Sequence, residues 1–248
     1  MVAGRRRHLT VAAALVGTVS IPAGAVTTTP RPIVWVQAGH ESPREPGYRA
    51  QTGAAGEVQF NTRVAAAIER RLRAAGVDAR HSPGRAADFP SKGAVFIAIH
   101  HDTPDGHAAV GHAITGANEN WYRGEGIGFP RSTPYPDSAP HRTPATTVSP
   151  TVEQRSQRLA ALLHTRYAAV FTRANGARSG PVRLEGRTGN RRVMRYVGYY
   201  RTRADARVLI ESGAGGTDAA MLRRTDAIAT AVSGAIVEHL RIEGRLQR

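Results

Sequence analysis

Four residues that can bind a metal or move a proton stand at the ends of apolar runs or at the start of a helical pattern. His40, His100 and Glu211 directly follow the runs IVWVQAG, AVFIAI and VLI, and Glu57 opens a segment with helical spacing. Two histidines and one carboxylate are a common catalytic zinc set in which water takes the fourth position. A second carboxylate that stays off the metal can then act as the base. The pattern predicts metal-assisted hydrolysis.

The apolar runs predict the strands that position these residues. IVWVQA (33–38), AVFIAI (94–99) and ARVLIES (206–212) are typical of strands buried on both faces. Shorter strands are predicted at 77–80 and 109–115. Ligands of open α/β sheets bind at the carboxyl ends of the strands, so the polar residues that end the three long runs are expected to meet at one edge.

The segments between these strands favour helices. Residues 57–75 carry apolar side chains at helical spacing, and a long helix is predicted to begin with Ser149 as N-cap and Pro150 as its first residue. A last helix is predicted from 217 to about 240, broken near Arg224. Alternating strands and helices predict an α/β fold, a single domain with a mostly parallel or mixed central sheet flanked by helices.

The first residues indicate export. Residues 1–25 combine three arginines, an apolar segment and the small residues Ala-Gly-Ala at 23–25, which is the pattern of a signal peptide. The apolar segment is too short to span a bilayer. A short linker at 26–32 then leads into a catalytic domain predicted at 33–245. The protein is expected to be periplasmic, cell-wall-associated or extracellular.

Composition narrows the chemistry and the partners. The chain has no cysteine, which excludes disulfides, thiolate metal sites and a cysteine nucleophile. Its 34 basic residues against 19 acidic ones give a net charge of +15, which favours polyanionic partners. Because an exported protein rarely meets nucleic acid, nucleic acid is not expected as a partner, and anionic wall polymers are.

Two segments have an unusual composition. The segment at about 118–150 is rich in proline and glycine, and we interpret it as an insertion that forms a long loop. The segment 187–203 combines arginines with tyrosines and suits an acidic glycan or wall polymer. A solvated basic face, without a ligand, explains the second segment equally well.

The site residues and their neighbours resemble the zinc-dependent N-acetylmuramoyl-L-alanine amidases of the bacterial cell wall, the amidase-3 type. Members of that family have a strand followed by Gly-His, a Glu with Asn four residues later, a strand ending in Ser-Ile-His and a late strand ending in Glu-hydrophobic-Gly. The counterparts here, in the same order, are VQAGH, GEVQFN, FIAIHHD and VLIESG. The similarity spans about 33–240 and is interrupted at 118–150.

The resemblance implies that His40, Glu57 and His100 bind one Zn²⁺ per chain and that Glu211 is the catalytic acid/base. It also implies cleavage of the amide between N-acetylmuramic acid and the L-alanine of stem peptides, with peptidoglycan or muropeptides as substrate. Glu41 is an alternative ligand because it neighbours His40, but only Glu57 matches the E-x-x-x-N spacing. Where the family commonly has Gly-His-Gly-Gly, this chain has GHESPREPGYRAQTG, so a different pocket shape is expected.

Three further residues are candidates for contacts with substrate or for hydrogen bonds that support the ligands. They are Asn61, His101 and Asp102. Because neighbouring residues of a strand point to opposite faces, His101 is not expected to share an ion with His100. A purely structural role for His101 is an equal alternative.

Two other classes of protein stay open. Zinc carboxypeptidases and aminoacylase-type hydrolases use a similar ligand set, but their first pair is typically His-x-x-Glu, and GHESP offers only His40 and Glu41. A non-catalytic cell-wall-binding protein with a degenerate amidase domain is the other alternative, against which the complete set of four residues argues. A serine hydrolase is disfavoured because the chain lacks a G-x-S-x-G elbow.

Overall fold

Six strands form one mixed sheet in the described part of the chain. They are β1 (Ile33–Ala38), β2 (Asp78–Pro83), β3 (Gly93–Asp102), β4 (Ala109–His112), β5 (Arg183–Glu185) and β6 (Ala204–Ala214). Their order in the sheet is β2-β1-β3-β6-β4-β5. The first four strands of that order run parallel, β4 is antiparallel to β6, and β5 is parallel to β4.

Four helices accompany the sheet in the described residues. They are α1 (Glu57–Ala74), α2 (Pro150–Asn175), α3 (Ala219–Leu222) and α4 (Thr225–Ile242). The hydroxyl of Ser149 accepts a hydrogen bond from the Val152 N–H at 3.3 Å, as an N-cap residue does. The predicted break in the last helix is also confirmed, because Arg224 has a ψ of 50° and separates α3 from α4.

The structure, a computed structural model, describes residues 30–41, 53–84, 92–115, 148–175, 180–185 and 202–247. The predicted signal peptide, most of the linker and of the 118–150 insertion, and most of the basic segment 187–203 lie outside these residues. Within them, no helix is both long and apolar enough to cross a membrane.

The core lies between one face of the sheet and the helices. Val36, Ile97 and Val208 occupy neighbouring positions in β1, β3 and β6 and are fully buried in the same cluster as Ile68 of α1 and Ile236 of α4. Burial of each such side chain stabilises the fold by about 1.5–3 kcal/mol. This packing holds the central parallel strands, and their carboxyl ends therefore form a rigid edge.

The predicted fold class is confirmed for the described residues, which form a single α/β domain with a mixed sheet flanked by helices. The predicted strand at 77–80 is longer in the structure because β2 pairs with β1 as far as Pro83. Strand β5 was not predicted, since three residues are too few to show a period of two. β3 continues through His100 and His101 because its ladder with β6 continues there.

Candidate metal-binding site

Three side chains that the sequence predicted as ligands come together at the carboxyl edge of the sheet. His40 follows β1, Glu57 is the first residue of α1 and His100 lies near the end of β3. One donor atom from each lies within 4.8 Å of the other two. Glu57 Oε1 is 3.1 Å from His100 Nδ1 and 3.5 Å from His40 Nε2. Residues far apart in the sequence thus form one compact donor cluster.

The donor types and two of the three donor separations are compatible with a zinc ion. Zinc–nitrogen and zinc–oxygen bonds of about 2.0–2.1 Å in a tetrahedron place neighbouring donors about 3.3 Å apart, and the two distances above lie on either side of that value. Imidazole with carboxylate is also a donor set that zinc accepts readily. The rings of His40 and His100 meet edge to face with their centroids 5.0 Å apart and do not stack face to face.

Two glycines leave room for the cluster. A Cβ on Gly39 would overlap the ring of His100. Gly53 has a φ of +103°, and a Cβ there would come within 2.6 Å of Glu57 Oε2 and 2.9 Å of His40 Cγ. The close approach of the backbone to all three side chains therefore requires glycine at both positions.

The turn that carries His40 is tied to its neighbours. The N–H of Gly39 donates to the Ile99 carbonyl at 2.9 Å, which continues the pairing of β1 with β3 beyond the end of β1. His40 itself has a φ of +60°, a left-handed conformation that costs a non-glycine residue about 1–3 kcal/mol. Such a conformation persists only where surrounding contacts hold it, and it directs the imidazole toward Glu57.

Glu57 is held as a carboxylate. Its Oε2 accepts a 2.7 Å hydrogen bond from the Ala54 N–H. Glu57 is also the first residue of α1, where the positive end of the helix dipole stabilises a negative charge. Burial acts to raise the pKa of Glu57, but the hydrogen bond and charge of His100, the charge of His40 and the Ala54 N–H together lower it to about 2. The ionised form is the one that binds a metal.

Asn61 supports both Glu57 and the His40 turn. Its side-chain amide donates to the Gly39 carbonyl at 2.9 Å and lies 3.4 Å from Glu57 Oε1. The spacing of four residues places Asn61 on the same face of α1 as Glu57, one turn further along. Asn61 is fully buried, and its Oδ1 has no hydrogen-bond partner in the chain as described.

Glu211 lies beside the cluster. It pairs in register with His100 across β6 and β3. Registered neighbours on adjacent strands are about 4.8 Å apart and point to the same face, so the two side chains share the face of the sheet edge. Glu211 is half-buried. The structure thus brings the predicted base next to a predicted ligand.

A β-bulge follows Glu211 directly. Asp102 pairs with Ala214, so β6 holds one more residue than β3 over this stretch. Gly213 has a φ of +135°, and a Cβ there would lie 2.8 Å from Asp218 Cβ. Bulges end strand pairing and re-aim neighbouring side chains, and they are frequent at functional sites.

Two residues that sequence reasoning missed hold the bulge. The hydroxyl of Tyr167, fully buried in α2, donates to the Ser212 carbonyl at 2.6 Å. Asp218 accepts a 2.7 Å hydrogen bond from the Ala214 N–H. Neither contact had a signal in the sequence, because each joins residues whose proximity depends on the packing of helices against β6.

The His101 side chain points away from the donor cluster, and the Asp102 side chain points into the turn that follows β3. The ring of His101 packs edge-on against Phe60 at 5.3 Å, and its Nδ1 lies 3.0 Å from the Asp102 carbonyl oxygen. Asp102 accepts a 2.8 Å hydrogen bond from the Thr103 N–H, and a Cβ on Gly106 would overlap its carboxylate. These contacts shape the end of β3.

Glu41, the alternative ligand, is not part of the donor cluster found among the described residues. Its Oε2 lies 2.6 Å from Nε2 of His81 in β2. Although Glu41 follows His40 in the sequence, its carboxylate contacts His81 and not the donor cluster.

Comparison with solved structures identifies the fold. No protein-family model and no curated protein matches the sequence. The chain is similar in structure to N-acetylmuramoyl-L-alanine amidase AmiC2 of Nostoc punctiforme, with a TM-score of 0.50 and 13% identity over 86% of this chain and 99% of that chain. The amidase Ami1 from Mycobacterium smegmatis gives a TM-score of 0.49 and 14% identity over 85% of this chain and 97% of that one. The first likeness shows that the chain has an amidase-type α/β fold.

Proposed function

We propose that the protein is a zinc-dependent N-acetylmuramoyl-L-alanine amidase. It hydrolyses the amide that joins N-acetylmuramic acid to the L-alanine of peptidoglycan stem peptides. The observation that carries the proposal is the His40–Glu57–His100 donor cluster with Glu211 in register beside it. The amidase-type fold supports the same reading, and the name of the solved structure from Nostoc punctiforme describes that activity.

His40, Glu57 and His100 would hold one zinc ion per chain. When bound there, zinc supplies a Lewis acid that polarises the scissile carbonyl and lowers the pKa of water from about 15.7 toward 7. Contacts around the site hold two of the donors before the metal arrives: Asn61 and Ala54 hold Glu57, and the β1–β3 pairing holds the turn of His40. Preorganisation of this kind keeps the ligands in a single geometry.

Glu211 would serve as the general base and then as the general acid. Its carboxylate accepts a proton from the attacking water and delivers that proton to the amine of L-alanine as the amide bond breaks. Proton transfer by a positioned side chain contributes about 10²–10⁴-fold to rate. The bulge at Gly213, held by Tyr167, fixes the backbone that carries Glu211.

The proposed substrate class agrees with the signal-peptide pattern and with the net charge of the chain. Peptidoglycan and its muropeptides lie outside the cytoplasm, and the signal-peptide pattern of residues 1–25 is in keeping with export to the periplasm, the cell wall or the medium. The net charge of +15 favours anionic wall polymers as a secondary contact. Retention on isolated cell walls that weakens with salt would support that contact.

Digestion of purified peptidoglycan, followed by mass spectrometry with and without a chelator, tests the proposal. The expected products are free stem peptides that begin at L-alanine and glycan strands stripped of peptide, both abolished by the chelator. Shortened stems still attached to sugar would identify a zinc carboxypeptidase-type enzyme instead. The absence of any product from zinc-loaded protein would favour a non-catalytic wall-binding protein.

A further inference from the structure

A row of charged side chains runs from α1 to the residue that follows His40. Arg73 Nη2 donates to Glu69 Oε2 at 2.9 Å, and Glu69 Oε1 lies 2.8 Å from Nδ1 of His81. Nε2 of the same imidazole lies 2.6 Å from Glu41 Oε2. We call these four residues the ionic chain. It joins α1, the edge strand β2 and the turn after β1.

The imidazole of His81 is the centre of the ionic chain. The side chain of Glu69 is 8% exposed and that of Glu41 is 19% exposed, so both carboxylates need a partner. Hydrogen bonds to Glu41 and Glu69 raise the pKa of His81 to about 9, against the opposing effect of burial. Both ring nitrogens of a protonated imidazole carry a hydrogen, and each can donate to one carboxylate.

The ionic chain ends at Glu41, next to His40, which is the residue of the donor cluster with a left-handed backbone conformation. Glu41 follows His40 directly, and its N–H donates to the Ala38 carbonyl at 3.3 Å within the same turn. The end of β2 packs on that turn as well, since a Cβ on Gly84 would overlap the backbone nitrogen of His40. Contacts of β2 therefore reach the backbone that sets the direction of the His40 imidazole.

We propose that His81 is a positioning residue for the metal site. By joining Glu41 to Glu69, it holds the turn in which His40 adopts its left-handed conformation, and zinc affinity then depends on a side chain that binds no zinc. Partners hydrogen-bonded directly to a ligand typically change metal affinity by about 10–100-fold when they are removed, and since His81 acts through the neighbour of a ligand, an effect at the lower end of that range is expected. The inference rests on the proposed function, since it assumes that His40 is a zinc ligand.

Zinc affinity measured by competition with a metallochromic chelator tests the inference on the full chain. His81→Leu is expected to raise the zinc dissociation constant about tenfold. The matched control is Arg80→Leu, which removes the exposed ion pair of Arg80 with Asp78 on the same strand and should leave the dissociation constant unchanged. Thermal unfolding of the metal-free proteins shows whether each variant is folded.

A rescue variant separates positioning from general stability. His81→Arg supplies donors for both carboxylates and is expected to restore affinity, because position 81 is 38% exposed and has room for the longer side chain. If His81→Leu does not fold, His81→Asn serves in its place, because it keeps a polar side chain at the edge strand but cannot reach both carboxylates.

Each outcome decides the inference. Weaker zinc binding in His81→Leu, with recovery in His81→Arg and no change in Arg80→Leu, supports it. Wild-type zinc affinity in His81→Leu overturns the inference and leaves the ionic chain with the structural role of joining β2 to α1. An equal loss of zinc affinity in His81→Leu and Arg80→Leu overturns it too. A wild-type protein that takes up no zinc overturns the proposed function and the inference together.

Discussion

Glu211 stands in register with His100, one strand away at the carboxyl edge of the sheet. This relationship places a half-buried carboxylate beside the donor cluster without making it a member of that cluster. A carboxylate in such a position can exchange a proton with a molecule held at the cluster. The proposed function gives the two residues different roles, metal ligand for His100 and base for Glu211, and separate substitutions test each role.

Glu211→Gln is expected to keep its zinc and to lose about 10²–10⁴-fold in turnover of muropeptides, because the amide cannot accept the proton. Zinc content by atomic spectroscopy and initial rates of stem-peptide release are the two measurements. Glu238→Gln, which alters an exposed ion pair between α4 and α2, is the matched control and should keep full activity. Full activity in Glu211→Gln would remove Glu211 from the role of base.

His100→Ala is expected to lose both zinc and activity, because one of three proposed donors is gone. The matched control is His112→Ala, which removes another buried imidazole from a strand of the same sheet, one whose Nδ1 lies 3.0 Å from the Ala113 carbonyl oxygen. That control should retain zinc. Stoichiometric zinc in folded His100→Ala protein would show that His100 is not a ligand.

Gly39→Ala tests the close approach of the backbone to the cluster. The added methyl group would overlap the His100 ring, so the ring must move and zinc affinity should fall about tenfold or more. Gly180→Ala is a suitable control because a Cβ there meets no atom within 4 Å. Titration calorimetry of both variants with zinc gives the comparison, and equal affinities would contradict the geometry described for Gly39.

The meeting of His40, His100 and Glu211 at one edge could be predicted from the sequence because strand periodicity and strand ends are local features, whereas the choice of Glu57 as the third ligand came from the resemblance to the amidases. The apolar runs before His40, His100 and Glu211 are long enough to identify three strands, and parallel strands bring their carboxyl ends to one edge. The alternation of side chains likewise predicted that His100 and His101 do not share an ion, and His101 packs on Phe60 instead.

The supporting contacts could not be predicted in this way. Whether His81 meets Glu41 or Glu69 depends on the register of β2 against β1 and on the angle of α1, neither of which leaves a local pattern. The same holds for the hydrogen bond from Tyr167 to the Ser212 carbonyl, which spans 45 residues. Side-chain pairing across elements is set by tertiary packing, and sequence periodicity carries no information about it.

The stability of the metal-free protein should depend on pH through His239. This residue of α4 is 2% exposed, its Nδ1 has no hydrogen-bond partner within the described residues, and burial lowers its pKa from 6.5 to about 4. At His239 the unfolded chain binds the proton more readily than the folded one, so the contribution of His239 to the free energy of unfolding is constant well above pH 6.5 and falls as the pH drops toward 4. Between pH 7.5 and pH 5 the contribution of His239 falls by about 2 kcal/mol, and the raised pKa of His81 offsets part of this loss because protonation of His81 favours the folded chain.

Urea unfolding at both pH values, with a chelator present to remove any metal, measures this loss. His239→Leu fills the same buried space without a titrating group, and its free energy of unfolding should change less between the two pH values, by about 2 kcal/mol. His164→Leu is the control, since His164 lies 2.9 Å from the Val182 carbonyl oxygen near the surface and should keep the wild-type dependence. An unchanged pH dependence in His239→Leu would show that another group causes the loss of stability in acid.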